Sequence, residues 1–243
     1  MDKDILKLLP QKAFKLLSIK ETFKISALVT KSLIDKESYE KCFNARNKVW
    51  KFDEIKIVKD FPSSSIKLST QEDGEKVLKI YFSQFFEKNI CVHLDLRSSS
   101  FSSDDLFHWI PSKLHYSFSA TFREGVCLLY KGFYLNNDLD YENGLKHLGI
   151  IRDSMSDEQK SNVKEIFLKH FGEGKTEAVR FSLEKLQSSF NAIFSFFLQE
   201  DIPLNPEFAV LGINLVTLYL TLQEIPHALN VSEVFKDVQR AYN

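Results

Sequence analysis

GEKVLKIYFSQFFEKNICVHLDLRSSSF, residues 74–101, changes its hydrophobic period partway along. From Gly74 to Asn89 apolar residues recur at helical spacing, and Ile90 to Leu96 is a short apolar run of strand type. His93, Asp95 and Arg97 then fall at alternate positions, which on a strand share one face. There Asp95 can pair with Arg97 while His93 shares the carboxylate. Two readings stand: the remnant of a catalytic loop, or the end of a buried strand carrying an ordinary ion pair.

Upstream, VWKFDEIKIV and SIKLST alternate apolar and polar residues and are separated by FPSSS, so Val49 to Thr70 reads as two strands joined by a loop. Earlier still, Asp4 to Ile34 places apolar residues at helical spacing with lysines opposite and Pro10 as a break, giving two helices or one kinked helix. Such a lysine-rich face either is solvated or rests on an acidic membrane surface.

Downstream, SSSFSSDD reads as a polar loop, and LFHWIPSKLHYSFS as a short strand or packed loop on each side of Pro111. Helices are then expected over Thr121 to Tyr134 and Asp140 to Leu148, the second closed by Gly149. Ser156 with Gln159 makes a capping box for a helix ending near Gly172. Further helices are expected over Thr176 to Gln199, Pro206 to about Glu224, and Ser232 to Ala241. The fold class is α+β, predominantly α. Residues 1–73 carry amphipathic helices and a small two-strand region, and residues 74–243 form a multi-helix bundle, the two packing as one unit.

Composition narrows the function classes. The 243 residues are 44% hydrophobic and 27% charged, as in a soluble globular chain with a sizeable core. A net charge of −1 lacks the cationic excess that nucleic-acid binding requires, so nucleic acid is not an expected partner. Cys42, Cys91 and Cys127 match no metal-ligand spacing and read as reduced thiols of a cytoplasmic protein, with no metal ligand set. The N-terminus has no secretory signal pattern. The longest charge-free apolar stretch, Phe208 to Leu222, is too short for a bilayer and reads as a buried helix. The 22 phenylalanines are core material first and pocket lining second.

Familiar catalytic motifs are missing. All eight glycines lie at or after Gly74, so the first 73 residues hold no glycine-rich phosphate cradle. There is no Walker loop, G-x-S-x-G, H-E-x-x-H or C-x-x-C. His108, His115, His147, His170 and His227 are scattered and read as core or surface residues.

VLKIYFSQFFEKNICVHLD resembles the segment before the catalytic loop of the AarF/UbiB family of atypical protein-kinase-like ATPases, where a phenylalanine-rich helix leads to H-x-D-x-H-P-G-N. In that register His93 and Asp95 match the first histidine and the catalytic aspartate. Arg97 replaces the second histidine, and Ser98, Ser99 and Ser100 replace Pro, Gly and Asn. FREGVCLLYKGFYLNNDLDYENGLKHLGII and DIPLNPEFAVLGINLVTLYLTLQEIPHALNV are similar to the family's later helices, so the likeness runs roughly from Gly74 to Val231. It implies a kinase-like C-lobe, ATP with magnesium as cofactor, and a link to quinone or lipid metabolism at the inner face of a membrane. The departures fall on the chemistry. Kinases hold metal with a catalytic-loop asparagine and a later aspartate. Here Ser100 stands for the asparagine, no carboxylate lies between Leu106 and Arg123, and Asp104 and Asp105 come too early.

Three functional expectations follow. The leading one is a non-catalytic, kinase-like protein that binds or regulates, with Arg97, Ser98, Ser99 and Ser100 contacting a ligand. The second is an active ATPase or phosphotransferase, with Asp95 as base, His93 beside it and Arg97 holding an anion. The third is a helical module that receives a partner protein or a small apolar, lipid-like ligand in a phenylalanine-lined bundle.

Overall fold

The computed structural model describes residues 34–60, 65–97, 99–102, 106–172 and 174–243, with Ala27 and Lys31 before them. Apart from Ala27, Lys31 and Ile34, the stretch Asp4 to Ile34 where helices are expected lies outside the described residues, as do Ser98, Asp104 and Asp105.

Helix α1 (Lys36–Val49) begins at Asp35, whose carboxylate accepts the Ser38 amide proton at 2.9 Å. It buries Tyr39, Phe43 and Arg46, spaced as one helical face. Helix α2 (Gln71–Phe86) starts with a capping box between Thr70 and Asp73 and is buried over most of its length. It leads directly to strand β3 (Val92–His93), which pairs antiparallel with β6 (His115–Tyr116).

A second sheet has the order β1-β5-β4-β2, formed by β1 (Ile55–Ile57), β2 (Ser65–Ile66), β4 (Ser99–Ser102) and β5 (Phe107–Trp109). The two strands expected between Val49 and Thr70 both form, yet they do not pair with each other. They occupy opposite edges, with the β4–β5 hairpin between them, so residues before and after position 74 share one sheet. The polar loop expected at SSSFSSDD is in part β4, because its backbone completes the ladder with Phe107 to Trp109.

The remaining helices are α3 (Ala120–Tyr134), α4 (Asp138–His147), α5 (Asp157–Phe171), α6 (Leu183–Gln199), α7 (Glu207–Leu222) and α8 (Val231–Tyr242). Among the described residues the protein is therefore a predominantly helical α+β structure with eight helices. α3 and α4 form a tight hairpin because both contact positions lack a side chain. A Cβ on Gly132 would sit 2.2 Å from the Tyr141 nitrogen, and one on Gly144 would sit 2.5 Å from that of Leu129. Gly149 follows α4 with φ +73°, as its role in ending that helix requires. The Ser156–Gln159 capping box is present on α5.

α6 starts seven residues later than its apolar stripe suggests, at Leu183 rather than Thr176. Val179 exchanges two 2.9 Å backbone hydrogen bonds with Leu229, which holds that stretch extended. One continuous core joins sheet and helices, with Phe82, Tyr130, Tyr134 and Phe235 in mutual ring contact near its centre. α7, the charge-free stretch, is buried nearly all round.

Candidate functional site

The segment from Cys91 to Arg97 is built on three supports. From α2, the Gln84 side-chain oxygen accepts the His93 amide proton at 2.7 Å. From α7, Asn214 donates to the carbonyls of His93 and Leu94, each at 3.2 Å, and the Thr217 hydroxyl donates to Leu94 at 2.6 Å. Ser112, between β5 and β6, accepts the Asp95 amide proton at 3.3 Å. The paired residues end at His93 and the Leu94 amide still reaches the Leu114 carbonyl at 2.8 Å, so it is the carbonyls of His93 and Leu94 and the amides of Asp95 and Leu96 that rest on these side chains. Asn214 and Thr217, unremarkable within an apolar helix, are there for this loop.

Burial separates His93 from Asp95 and Arg97. His93 is fully buried; its Nδ1–H donates to the Ser112 carbonyl at 2.6 Å, and its Nε2 faces the Cys91 sulfur at 4.0 Å. Burial, followed by the nearby charge of Arg46, holds its pKa well below the usual imidazole value, so the ring is neutral. Asp95 is half-buried and takes Arg97 instead: Nε to Oδ1 at 2.9 Å, Nη2 to Oδ2 at 2.7 Å, and the Arg97 amide to Oδ1 at 3.1 Å. The expected Asp95–Arg97 pair is present, while the expected sharing of its carboxylate with His93 is not. His93 is fully enclosed and its Nδ1–H is held by the Ser112 carbonyl, while Leu94 and Leu96 turn inward and Asp95 and Arg97 outward. Ser99 and Ser100 are placed on β4 by their backbones, opposite Trp109 and His108.

The described residues do not fit a magnesium–nucleotide centre. Asp95 is the loop's described carboxylate, and both its oxygens are on Arg97. After β5 come Ile110, Pro111 and Ser112, none of which can hold a cation through a carboxylate. Two of their carbonyls are already committed, that of Pro111 to the Tyr39 hydroxyl at 3.1 Å and that of Ser112 to His93.

Beside the loop lies a buried arginine knot that the sequence pattern did not announce. Arg46 reaches from α1 to Glu87 at 2.7 Å, Gln84 at 3.1 Å and the Cys91 carbonyl at 2.7 Å. Arg123 donates to the carbonyls of Gln84, Glu87 and Ile90, covering the C-terminal end of α2. Cys42 and Cys91, expected as separate thiols, are brought together: they are joined as a disulfide between α1 and the start of β3, with Cα atoms 6.0 Å apart. A ring nitrogen of His115 lies within 4.8 Å of both sulfurs, so with the disulfide reduced these three residues could hold a metal ion. Cys127 is remote in role; burial pushes its thiol up to about 11.

Two cavities bear on ligand binding. The phenylalanine-rich space between α3, α5, α6 and α7 is only about 50 Å³, room for water rather than an acyl chain. A cleft of about 740 Å³ lies between the end of α2, α3 and the C-terminus, lined by Phe86, Phe118, Arg123, Cys127, Lys131 and Tyr242. No helix among the described residues is long and apolar enough to cross a membrane.

Comparison with protein-family models, with curated proteins and with solved structures finds no match for this chain.

Proposed function

We propose that this chain is a non-catalytic, kinase-like protein that works by binding rather than by phosphoryl transfer. The observation carrying this reading is the forked pair between Asp95 and Arg97. A carboxylate that accepts both guanidinium nitrogens and the Arg97 amide is engaged as an anchor, whereas a base must meet the proton of an incoming hydroxyl or water. The neutral, enclosed His93 and the lack of a second described carboxylate beside the loop support the same reading. The kinase-like part of the reading rests on the sequence resemblance of residues 74–101 and the later helices alone.

The cleft of about 740 Å³ is the place for a ligand, because its size suits a small molecule and its walls combine aromatic rings with the ammonium groups of Lys88 and Lys131, beside Glu124. An acyl or isoprenoid compound with an anionic end matches that lining.

The test is ATP turnover with magnesium or manganese by wild type and Asp95→Asn, with the fold checked by circular dichroism. The expected result is the same background rate for both. Turnover by wild type that Asp95→Asn loses while staying folded would overturn the proposal. Ligand binding is read separately, as a rise in melting temperature with acyl or isoprenoid anions that Lys131→Ala diminishes. A ligand at a hundred times its Kd contributes about 2.7 kcal/mol.

A further inference from the structure

His93 on β3 lies directly opposite His115 on β6 in the antiparallel register, and Cys91 stands just before β3. Across this pair runs α1, which contributes Cys42. Cys42 Sγ, Cys91 Sγ and a His115 ring nitrogen lie within 4.8 Å of one another, and the Cys91 sulfur is 4.0 Å from His93 Nε2. The geometry points to a tetrahedral site for a zinc-class cation, formed in the reduced chain by Cys42, Cys91, His93 and His115.

Cys42, Cys91 and His115 already hold their ligand atoms within 4.8 Å of one another, and His93, whose Nε2 is 4.0 Å from the Cys91 sulfur and whose ring centre is 6.0 Å from that of His115, has to turn in as the fourth ligand. Zinc bonds of about 2.3 Å to sulfur and 2.0–2.1 Å to nitrogen set tetrahedral edges of about 3.8 Å between sulfurs and about 3.5 Å between sulfur and nitrogen. Both imidazoles are also set up as metal ligands usually are. The Nδ1–H of His93 donates to the Ser112 carbonyl at 2.6 Å, and that of His115 to the Lys113 carbonyl at 2.7 Å. A carbonyl only accepts, so each Nδ1 carries the proton and each Nε2 presents a lone pair. His115 Nε2 receives the Ser38 hydroxyl at 2.9 Å. Ser38 is half-buried, and its hydroxyl can turn to water when a cation takes that lone pair. Two thiolates and two neutral imidazoles suit zinc in both softness and charge, leaving the centre uncharged. Enclosure of His93, with Arg46 on the Cys91 carbonyl, keeps the site rigid.

The Cys42–Cys91 disulfide and the cation exclude each other, because each needs the same two sulfurs. A dithiol reductant joins them: it passes two electrons and two protons to the cysteine sulfurs and leaves as its own disulfide. The cation then displaces the two thiol protons to solvent. The centre is thus a clasp between α1 and the β3–β6 pair, closed by metal when reduced and by a covalent bond when oxidised. This goes beyond the proposed binding function and does not depend on it.

The test is anaerobic titration of the full-length, reduced chain with cobalt(II), read by visible absorption, with zinc content measured in parallel. The expected result is one equivalent per chain, showing the strong bands of tetrahedral cobalt with thiolate-to-cobalt charge transfer, and none for the oxidised chain. Cys42→Ser and Cys91→Ser should lose the charge-transfer band to background, while Cys127→Ser and Ser38→Ala keep one equivalent. His115→Cys separates ligation from folding: it should keep one equivalent and gain charge-transfer intensity. A reduced, folded chain without the band would overturn the proposal, as would a band that Cys42→Ser leaves unchanged. Neither result bears on the turnover comparison that tests the function.

Discussion

The guanidinium of Arg46 lies 2.7 Å from the carboxylate of Glu87, and neither side chain has any solvent exposure. The Tyr242 hydroxyl donates to the other Glu87 oxygen at 3.1 Å, so the pair ties α1, the end of α2 and the last helix together. Removing one member of a buried pair leaves a desolvated charge, at a cost of about 3–5 kcal/mol. Arg46→Met should lose that much in urea unfolding. Adding Glu87→Gln to it should recover part of the loss, since the orphan is then neutral. A cost below about 1 kcal/mol for Arg46→Met would show that water reaches Glu87.

The α3–α4 hairpin has no room at Gly132. An added Cβ would meet backbone, 2.2 Å from the Tyr141 nitrogen and 2.4 Å from its Cα, where no side-chain rotation relieves the clash. Gly132→Ala should therefore destabilise by about 3 kcal/mol, the upper end for overpacking, against its small gain in helix propensity. Thermal unfolding measures it, with Gly174→Ala as the control: the nearest atom to its added Cβ is a Val179 methyl at 3.4 Å.

Elements whose signal is local were legible in the sequence. The Ser156–Gln159 capping box, Gly149 after α4 and the charge-free run of α7 each declare themselves within a few residues. α1 escaped because a charged residue, Arg46, stands on its core face and finds its partner 41 residues away. β4 escaped because a serine-rich strand is stabilised by its ladder with β5 rather than by its own apolar pattern. At the site, the Asp95–Arg97 pair spans two residues and could be read directly. The Cys42–Cys91 approach spans 49 and depends on how α1 crosses the β3–β6 pair, which no spacing rule encodes. His93 showed the limit of alternation: equal spacing did not foretell that it would be enclosed while Asp95 and Arg97 reach outward.

Thr217 carries the loop floor through one hydroxyl. It donates to Leu94 at 2.6 Å inside the core, while Asn214 donates to the same carbonyl at 3.2 Å. Thr217→Val keeps the shape and removes the donor, so the expected loss is about 1–2 kcal/mol. Hydrogen exchange should localise it: the Leu96 amide, 3.4 Å from the Thr217 hydroxyl oxygen, should lose protection more than the amides of α5. Equal loss everywhere would mean that only global stability had changed.

His170 should give the protein an acid-sensitive stability. Its Nδ1–H donates to Ser189 Oγ at 2.7 Å, whose own proton goes to the Leu186 carbonyl, and its ring stacks on Phe190. Burial lowers its pKa from 6.5 to about 4. Between those values the unfolded chain binds a proton that the folded chain refuses, so stability falls as pH falls. The contribution is complete above about pH 6.5, and its decline levels off below about pH 4, where the folded ring protonates too. With the ring partly exposed, the span is worth about 2 kcal/mol. His170→Gln can still donate to Ser189 but does not titrate. Its unfolding free energy between pH 6.5 and 4 should lose about one proton of slope relative to wild type, while buried His93 continues to contribute in the same direction. Identical slopes in the two proteins would show that the His170 ring takes up its proton without leaving the fold.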